Sequence, residues 1–180
     1  MSYSGTTLRR ASAAGDAEVV LANLNAGIKV DDKDELGYTA LHYACRSDKI
    51  KMENIVTVLV DHGADVNAKT NNGVTALHIC CLMRKPRRMD DEGNEIDTKA
   101  TRLAAEILQS KIRILEDLLS HGANPMVRDN SGICPLHLAA HAGVQESVQA
   151  LLRATTTRIP ARNGKQELFS APYVKVCDRF

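Results

Sequence analysis

An all-α chain built from internal repeats is what this sequence predicts, and three observations carry the prediction. Aromatic residues make up 3% of the 180 positions and Trp is absent, so the core has to be filled by small aliphatic contacts between closely packed helices. One phrase recurs three times: Gly37-Tyr-Thr-Ala-Leu-His42-Tyr-Ala-Cys, Gly73-Val-Thr-Ala-Leu-His78-Ile-Cys-Cys and Gly132-Ile-Cys-Pro-Leu-His137-Leu-Ala-Ala. A second phrase precedes each copy, as Asp-His-Gly63-Ala-Asp-Val-Asn67-Ala-Lys, as Ser-His-Gly122-Ala-Asn-Pro-Met-Val-Arg-Asp and, worn, as Asn-Ala-Gly27-Ile-Lys-Val-Asp-Asp-Lys-Asp. Repetition of this length is the signature of a solenoid.

Taken in order, residues 6–27 align as a first unit that carries Arg9 where the others have His, and Arg9 with Arg10 suits the polar face an end unit needs. Leu41, Ala44, Leu77, Cys80, Leu136 and Ala139 fall at i, i+3 spacing and give each first helix a narrow inner face of small residues. The Thr before each Leu-His can cap that helix with its side-chain oxygen; Cys134 replaces it in the last full unit, which should weaken the cap. Gly27, Gly63 and Gly122 close Leu- or Val-rich second helices and fit a left-handed stop. Asn163-Gly164-Lys-Gln-Glu-Leu168-Phe-Ser-Ala171 reads as one more start, cut short by Pro172.

The paired T-x-L-H and G-A-D-V-N phrases resemble the ankyrin repeat family over about residues 5–155. The resemblance implies a unit of about 33 residues, a β-hairpin loop followed by two antiparallel helices. It also implies repeats at about 5–36, 37–72, 73–131 and 132–163, with 164–180 as a degenerate cap, the whole of 1–180 forming one domain.

Spacing locates an interruption. Gly37 to Gly73 is 36 residues, Gly73 to Gly132 is 59 and Gly132 to Gly164 is 32, yet stop Gly to hairpin Gly is constant at 27 to 37, 63 to 73 and 122 to 132. The surplus therefore lies between the two helices of the third unit, as an insertion over 84–105. Pro86 should end the helix begun near Ala76, and residues 98–120 read as one helix of about 34 Å. Leu103, Ile107, Ile114 and Leu118 are expected to face the stack while its first two turns protrude. Residues 84–97 mix both charge signs beside Gly93, which suits a solvated loop or a partner-binding element.

Lys+Arg 23 against Asp+Glu 22 gives no chain-wide footprint for nucleic acid, although the segment from Arg153 onward carries +4 and the part before it −3. The five cysteines form no C-x-x-C pair, so neither a disulfide framework nor a zinc site is implied, and a reducing cytoplasmic or nuclear compartment is expected. No span crosses a membrane and no secretory signal precedes the first unit. His42, His78 and His137 would stand about 10 Å apart in a row, too far to share one ion; the resemblance makes them structural donors to neighbouring loops. Cys80 and Cys81 read as small packing residues. Two modification sites are candidates: Ser12 in Leu8-Arg-Arg-Ala-Ser12, a pattern similar to that of basophilic kinase substrates, and Asn67, which resembles an asparaginyl hydroxylase site but also suits a turn-fixing amide. No catalytic residue, cofactor, metal or small-molecule substrate is implied.

The resemblance places partner binding on hairpin tips and the concave first-helix wall, through residues stacking does not need. In the second unit these are Glu35, Leu36, Tyr38, Arg46 and Ser47; in the third Asn71, Asn72, Val74, Leu82 and Met83; in the fourth Asn130, Ser131, Ile133, His141 and Ala142. Lys33, Lys69 and Arg128 flank them. The expected function is a monomeric, non-enzymatic adaptor, scaffold or inhibitor that binds a protein. The alternatives are a targeting domain of a larger enzyme or of a secreted effector, acting in a host cytosol, and an anionic-ligand binder using the basic tail on nucleic acid or a membrane surface.

Overall fold

The computed structural model describes residues 5–50, 52–82 and 99–156. Met83, the segment 84–98 and the expected terminal cap lie outside the described residues. Those that are described form α1 (Gly5–Ala14), α2 (Ala17–Asn25), α3 (Ala40–Arg46), α4 (Glu53–Asp61), α5 (Ala76–Cys81), α6 (Lys99–Ser120), α7 (Pro135–Ala142) and α8 (Gln145–Thr156). They pack in pairs, α1 with α2, α3 with α4, α5 with α6 and α7 with α8. The first helices α1, α3, α5 and α7 stack in sequence.

Register explains why the pairs superpose. Counting back from the stop glycine, Ile55, Val56 and Leu59 precede Gly63 by the same intervals at which Ile114, Leu115 and Leu118 precede Gly122, and all six side chains are buried. Val20 and Asn23 hold the corresponding places before Gly27, also buried. Each such aliphatic side chain contributes about 2 kcal/mol on burial. One core runs from Leu8 to Leu151, and its inner helices are dense: all six residues of α5 are buried. Gly27, Gly63 and Gly122 have φ of 83°, 85° and 84°, the left-handed stop the second phrase requires.

Hairpin loops are minimal. Among the described residues no strand forms; each loop closes on a pair of backbone bonds, Asp34 N to Tyr38 O at 3.1 Å with Gly37 N to Asp34 O at 2.9 Å, Thr70 N to Val74 O at 3.0 Å with Gly73 N to Thr70 O at 2.9 Å, and Asp129 N to Ile133 O at 2.9 Å with Gly132 N to Asp129 O at 3.0 Å. Loop tips are tied to one another by Asn71 N to Leu36 O at 3.0 Å and Asn130 N to Asn72 O at 2.9 Å.

The long helix departs from expectation in one respect. Ile114 and Leu118 do face the stack, and Ile107 is half-buried, but Leu103 is exposed. The neighbouring helices reach only as far as Leu108 and Ile112, which form a small side cluster with Val144 and Ala142. The extension of α6 thus leans on the α7–α8 junction of the next pair, and the turn bearing Leu103 projects beyond it.

Candidate functional site

Three of the four first helices, α3, α5 and α7, are each secured at the start by one imidazole. In α3, His42 Nδ1 accepts the Thr39 amide at 3.2 Å and lies 2.9 Å from Thr39 Oγ1. That leaves the ring proton on Nε2, which donates to Val74 O in the next loop at 3.2 Å. His78 repeats the arrangement with Thr75 and donates to Ile133 O at 3.1 Å. At the third position Cys134 replaces Thr: the Cys134 amide still reaches His137 Nδ1 at 3.2 Å, but Sγ stands 3.4 Å from the ring. The weaker sulfur contact is the difference the sequence led one to expect. Arg9 takes the corresponding place in α1 and grips Asp32, its carboxylate at 2.5 Å and its carbonyl at 3.1 Å.

Burial lowers the pKa of both His42 and His78 below the ordinary imidazole value, against the raising effect of their carbonyl partners and of nearby Asp34 and Asp129; Lys33 and Lys69 add to the lowering. A ring that resists protonation only when folded stabilises the protein fully above the unfolded value of about 6.5 and loses that contribution as pH falls below it. The urea midpoint should therefore hold steady from pH 8 to 7 and fall between 6.5 and 5.5. A midpoint that rises over that interval would show that the folded rings take up protons.

First helices also receive donors at their far ends, where the last carbonyls are otherwise unpaired. Ser47 Oγ donates to Ala13 O at 2.9 Å and Lys49 Nζ to Ala14 O at 2.6 Å. The counterpart for α3 is Lys111 of α6, 3% exposed, whose Nζ donates to Cys45 O. A cation there also suits the negative end of the helix dipole. Lys111 was not among the residues sequence reasoning selected. Its place eleven residues before Gly122, where Met52 stands before Gly63, is the signal that would have found it.

The nominated partner residues separate into two groups. Glu35, Leu36, Arg46, Asn72, Leu82, Ser131 and His141 are exposed, and Tyr38, Val74 and Ile133 are half-buried behind them. Tyr38 leans edge-on against His42 at 5.7 Å and packs beside Tyr43. Four others are not spare, contrary to expectation. Asn71 Nδ2 donates to Glu35 O at 2.8 Å and Asn130 Nδ2 to Asn71 O at 3.0 Å, so both amides join the stacked tips. Ser47 caps α1, and Ala142 packs against the side cluster.

Polar side chains shape the tips. Asp34 Oδ1 accepts the amides of Leu36 and Tyr38 at 2.9 and 2.8 Å, and Oδ2 accepts the Tyr43 hydroxyl at 2.7 Å. Burial pulls this carboxyl up, but the hydroxyl, the two amides and Arg9 together hold it below its ordinary value; Tyr43 is raised in turn, chiefly by the bond to Asp34. Asp129 does the same for Ser131 and Ile133 at 2.9 Å each. Lys33 Nζ reaches Lys69 O at 2.9 Å and Arg128 reaches Gly132 O at 2.8 Å.

The two modification candidates sit differently. Asn67 bridges to the next loop, Nδ2 to Gly122 O at 3.1 Å and Oδ1 from the Asn124 amide at 2.8 Å. Ser12 is buried on α1, its Oγ without a hydrogen-bond partner. Cys45, Cys80, Cys81 and Cys134 are free and buried. The Cys45 thiol is raised by its bond to Cys80 and by burial, and Cys81 by burial first, which makes both poor nucleophiles. Among the described residues no three His, Cys, Asp or Glu side chains gather as a metal-binding group.

A family model for ankyrin repeats (3 copies) matches residues 8–88, and one for a single ankyrin repeat matches residues 131–163. The chain belongs to the ankyrin repeat family. Such repeats generally mediate protein–protein interaction. Two similar proteins are the mitochondrial disaggregase of Bos taurus, 29% identical over 176 residues, and the tyrosine-protein kinase Shark of Drosophila melanogaster, 28% identical over 158. Those alignments take in 92% and 85% of this ankyrin chain but only 25% and 14% of the two relatives. The chain therefore spans a quarter or less of either. No helix among the described residues is long and apolar enough to cross a membrane.

Proposed function

We propose that this ankyrin stack is a monomeric, non-enzymatic adaptor, scaffold or inhibitor that holds a protein segment along its tips and concave wall. One observation carries the reading. Leu36 is 65% exposed at a tip and Leu82 is 59% exposed at the end of α5, the two most exposed large apolar side chains among the described residues. Large apolar side chains held outward on rigid elements are the raw material of interface hot spots, and Tyr38, Val74 and Ile133 stand half-buried beside the same wall. Arg46 and Glu35 supply a polar rim. The free, buried thiols suit a reducing cytoplasmic or nuclear setting.

The test is a double substitution, Leu36→Glu with Leu82→Glu, compared with the parent chain in affinity capture from the native cell. Capture of the partner should drop by about tenfold or more while the thermal melt is unchanged, since neither side chain is packed. Equal capture by both proteins would reject the wall as the binding surface.

The partial alignments favour a second reading, that the stack is the interaction portion of a larger enzyme. Sequencing the full reading frame decides it: a catalytic domain in the same frame supports it, and a stop codon directly after Phe180 together with a start at Met1 rejects it. The proposals resting on the basic tail and on 84–97 fall on residues outside those described.

A further inference from the structure

Leu8-Arg9-Arg10-Ala11-Ser12 places arginines three and two residues before a serine, the spacing basophilic protein kinases read. In the folded stack the serine is 0% exposed and its Oγ finds no hydrogen-bond partner. Burying a hydroxyl without a partner works against folding, so the position is held by what surrounds it. Leu8 and Ala11 are the other buried residues of α1, Arg9 grips Asp32, and Ser47 and Lys49 cap the last carbonyls of the helix. The helix is the first among the described residues and packs on α2 and α3, and one helix of a stack can open locally at less than the cost of global unfolding.

We propose that Ser12 is a phosphorylation site gated by the opening of α1, and that the phosphate, once attached, keeps α1 off the stack. In the opened segment the Ser12 Oγ–H attacks the γ-phosphorus of kinase-bound ATP. The bond from that phosphorus to the bridging oxygen breaks, ADP leaves, and the hydroxyl proton passes to the carboxylate base of the kinase. The product carries nearly two negative charges and three further oxygens. It cannot re-enter a site that leaves an ordinary hydroxyl no partner and no exposure. Loss of α1 strips Ser47 and Lys49 of their acceptors and uncovers the packed side of α3, so the effect is transmitted to the second helix pair through contacts already described.

Incubation of the full chain with the catalytic subunit of cyclic-AMP-dependent protein kinase and Mg-ATP tests this, with site-mapped mass spectrometry and hydrogen exchange as readouts. Phosphate should appear on Ser12 of the intact chain more slowly than on a peptide of residues 5–16, and not at that position in Ser12→Ala. Asp32→Ala leaves the arginine pattern intact but removes the ion pair, so it should speed the reaction on the intact chain by about fivefold. Amide protection across α1 should stay lost after the kinase is removed. Three results overturn the proposal: no phosphate on Ser12 of the intact chain when the peptide is fully modified; a rate equal to that of the peptide and unmoved by Asp32→Ala; or modified Ser12 with α1 protection intact.

Discussion

Replacing Gly37 with alanine is expected to lower the unfolding free energy by about 3 kcal/mol, measured by urea denaturation followed by helical circular dichroism. Two costs add. Gly37 has φ of 82°, where an L side chain costs about 1–2 kcal/mol, and a Cβ there would stand 2.7 Å from both the amide nitrogen and Oδ1 of Asn71. Those atoms cannot yield easily, because the Asn71 amide is bonded to Leu36 O and its side chain to Glu35 O. Overpacking against fixed backbone adds about 1–3 kcal/mol. Gly63→Ala is the control: φ is 85° but nothing lies within 4 Å of the added carbon, so only the backbone strain of about 1 kcal/mol should appear. Equal losses at the two positions would mean that close stacking of the tips contributes nothing.

Lys111→Ala should cost about 3 kcal/mol in the same assay, unusually much for a lysine, because it deletes a buried stem and leaves Cys45 O without its donor. Lys111→Met keeps the stem's volume and matches Met52, its counterpart in the second unit, so about 1 kcal/mol should be lost, reporting the missing hydrogen bond. A Lys111→Ala chain as stable as the parent would show that α6 is not fastened to α3 through this side chain.

Much of the architecture is legible in the sequence because stacking imposes strict intervals. The constant ten residues from Gly27 to Gly37, Gly63 to Gly73 and Gly122 to Gly132 leave no freedom in loop length, so the insertion had to fall between α5 and α6. The failures have physical causes. Leu103 continues the apolar stripe of α6, but periodicity tells which side of a helix is greasy and says nothing of how far its neighbours extend. Asn71 and Asn130 look like solvent-facing tip residues, yet each spends its amide on the carbonyl of the preceding tip, a use that a turn residue's polarity cannot reveal. Lys111 was passed over because a charged side chain is rarely buried unless paired. Its acceptor is a main-chain oxygen 66 residues away, which no local pattern encodes. Ser47 and Ala142 were read as free of the stack when a neighbouring helix already held them.

Trimming this chain from its front and from its back is not an equivalent operation. The two buried imidazoles hand their protons forward, His42 to Val74 O and His78 to Ile133 O, so a fragment beginning near residue 37 keeps both recipients. One ending near residue 122 strands a shielded N–H with nothing to accept it, a penalty of about 1–3 kcal/mol beyond the lost packing. The fold has a direction of dependence as well as a direction of synthesis: earlier segments await later ones before they are complete.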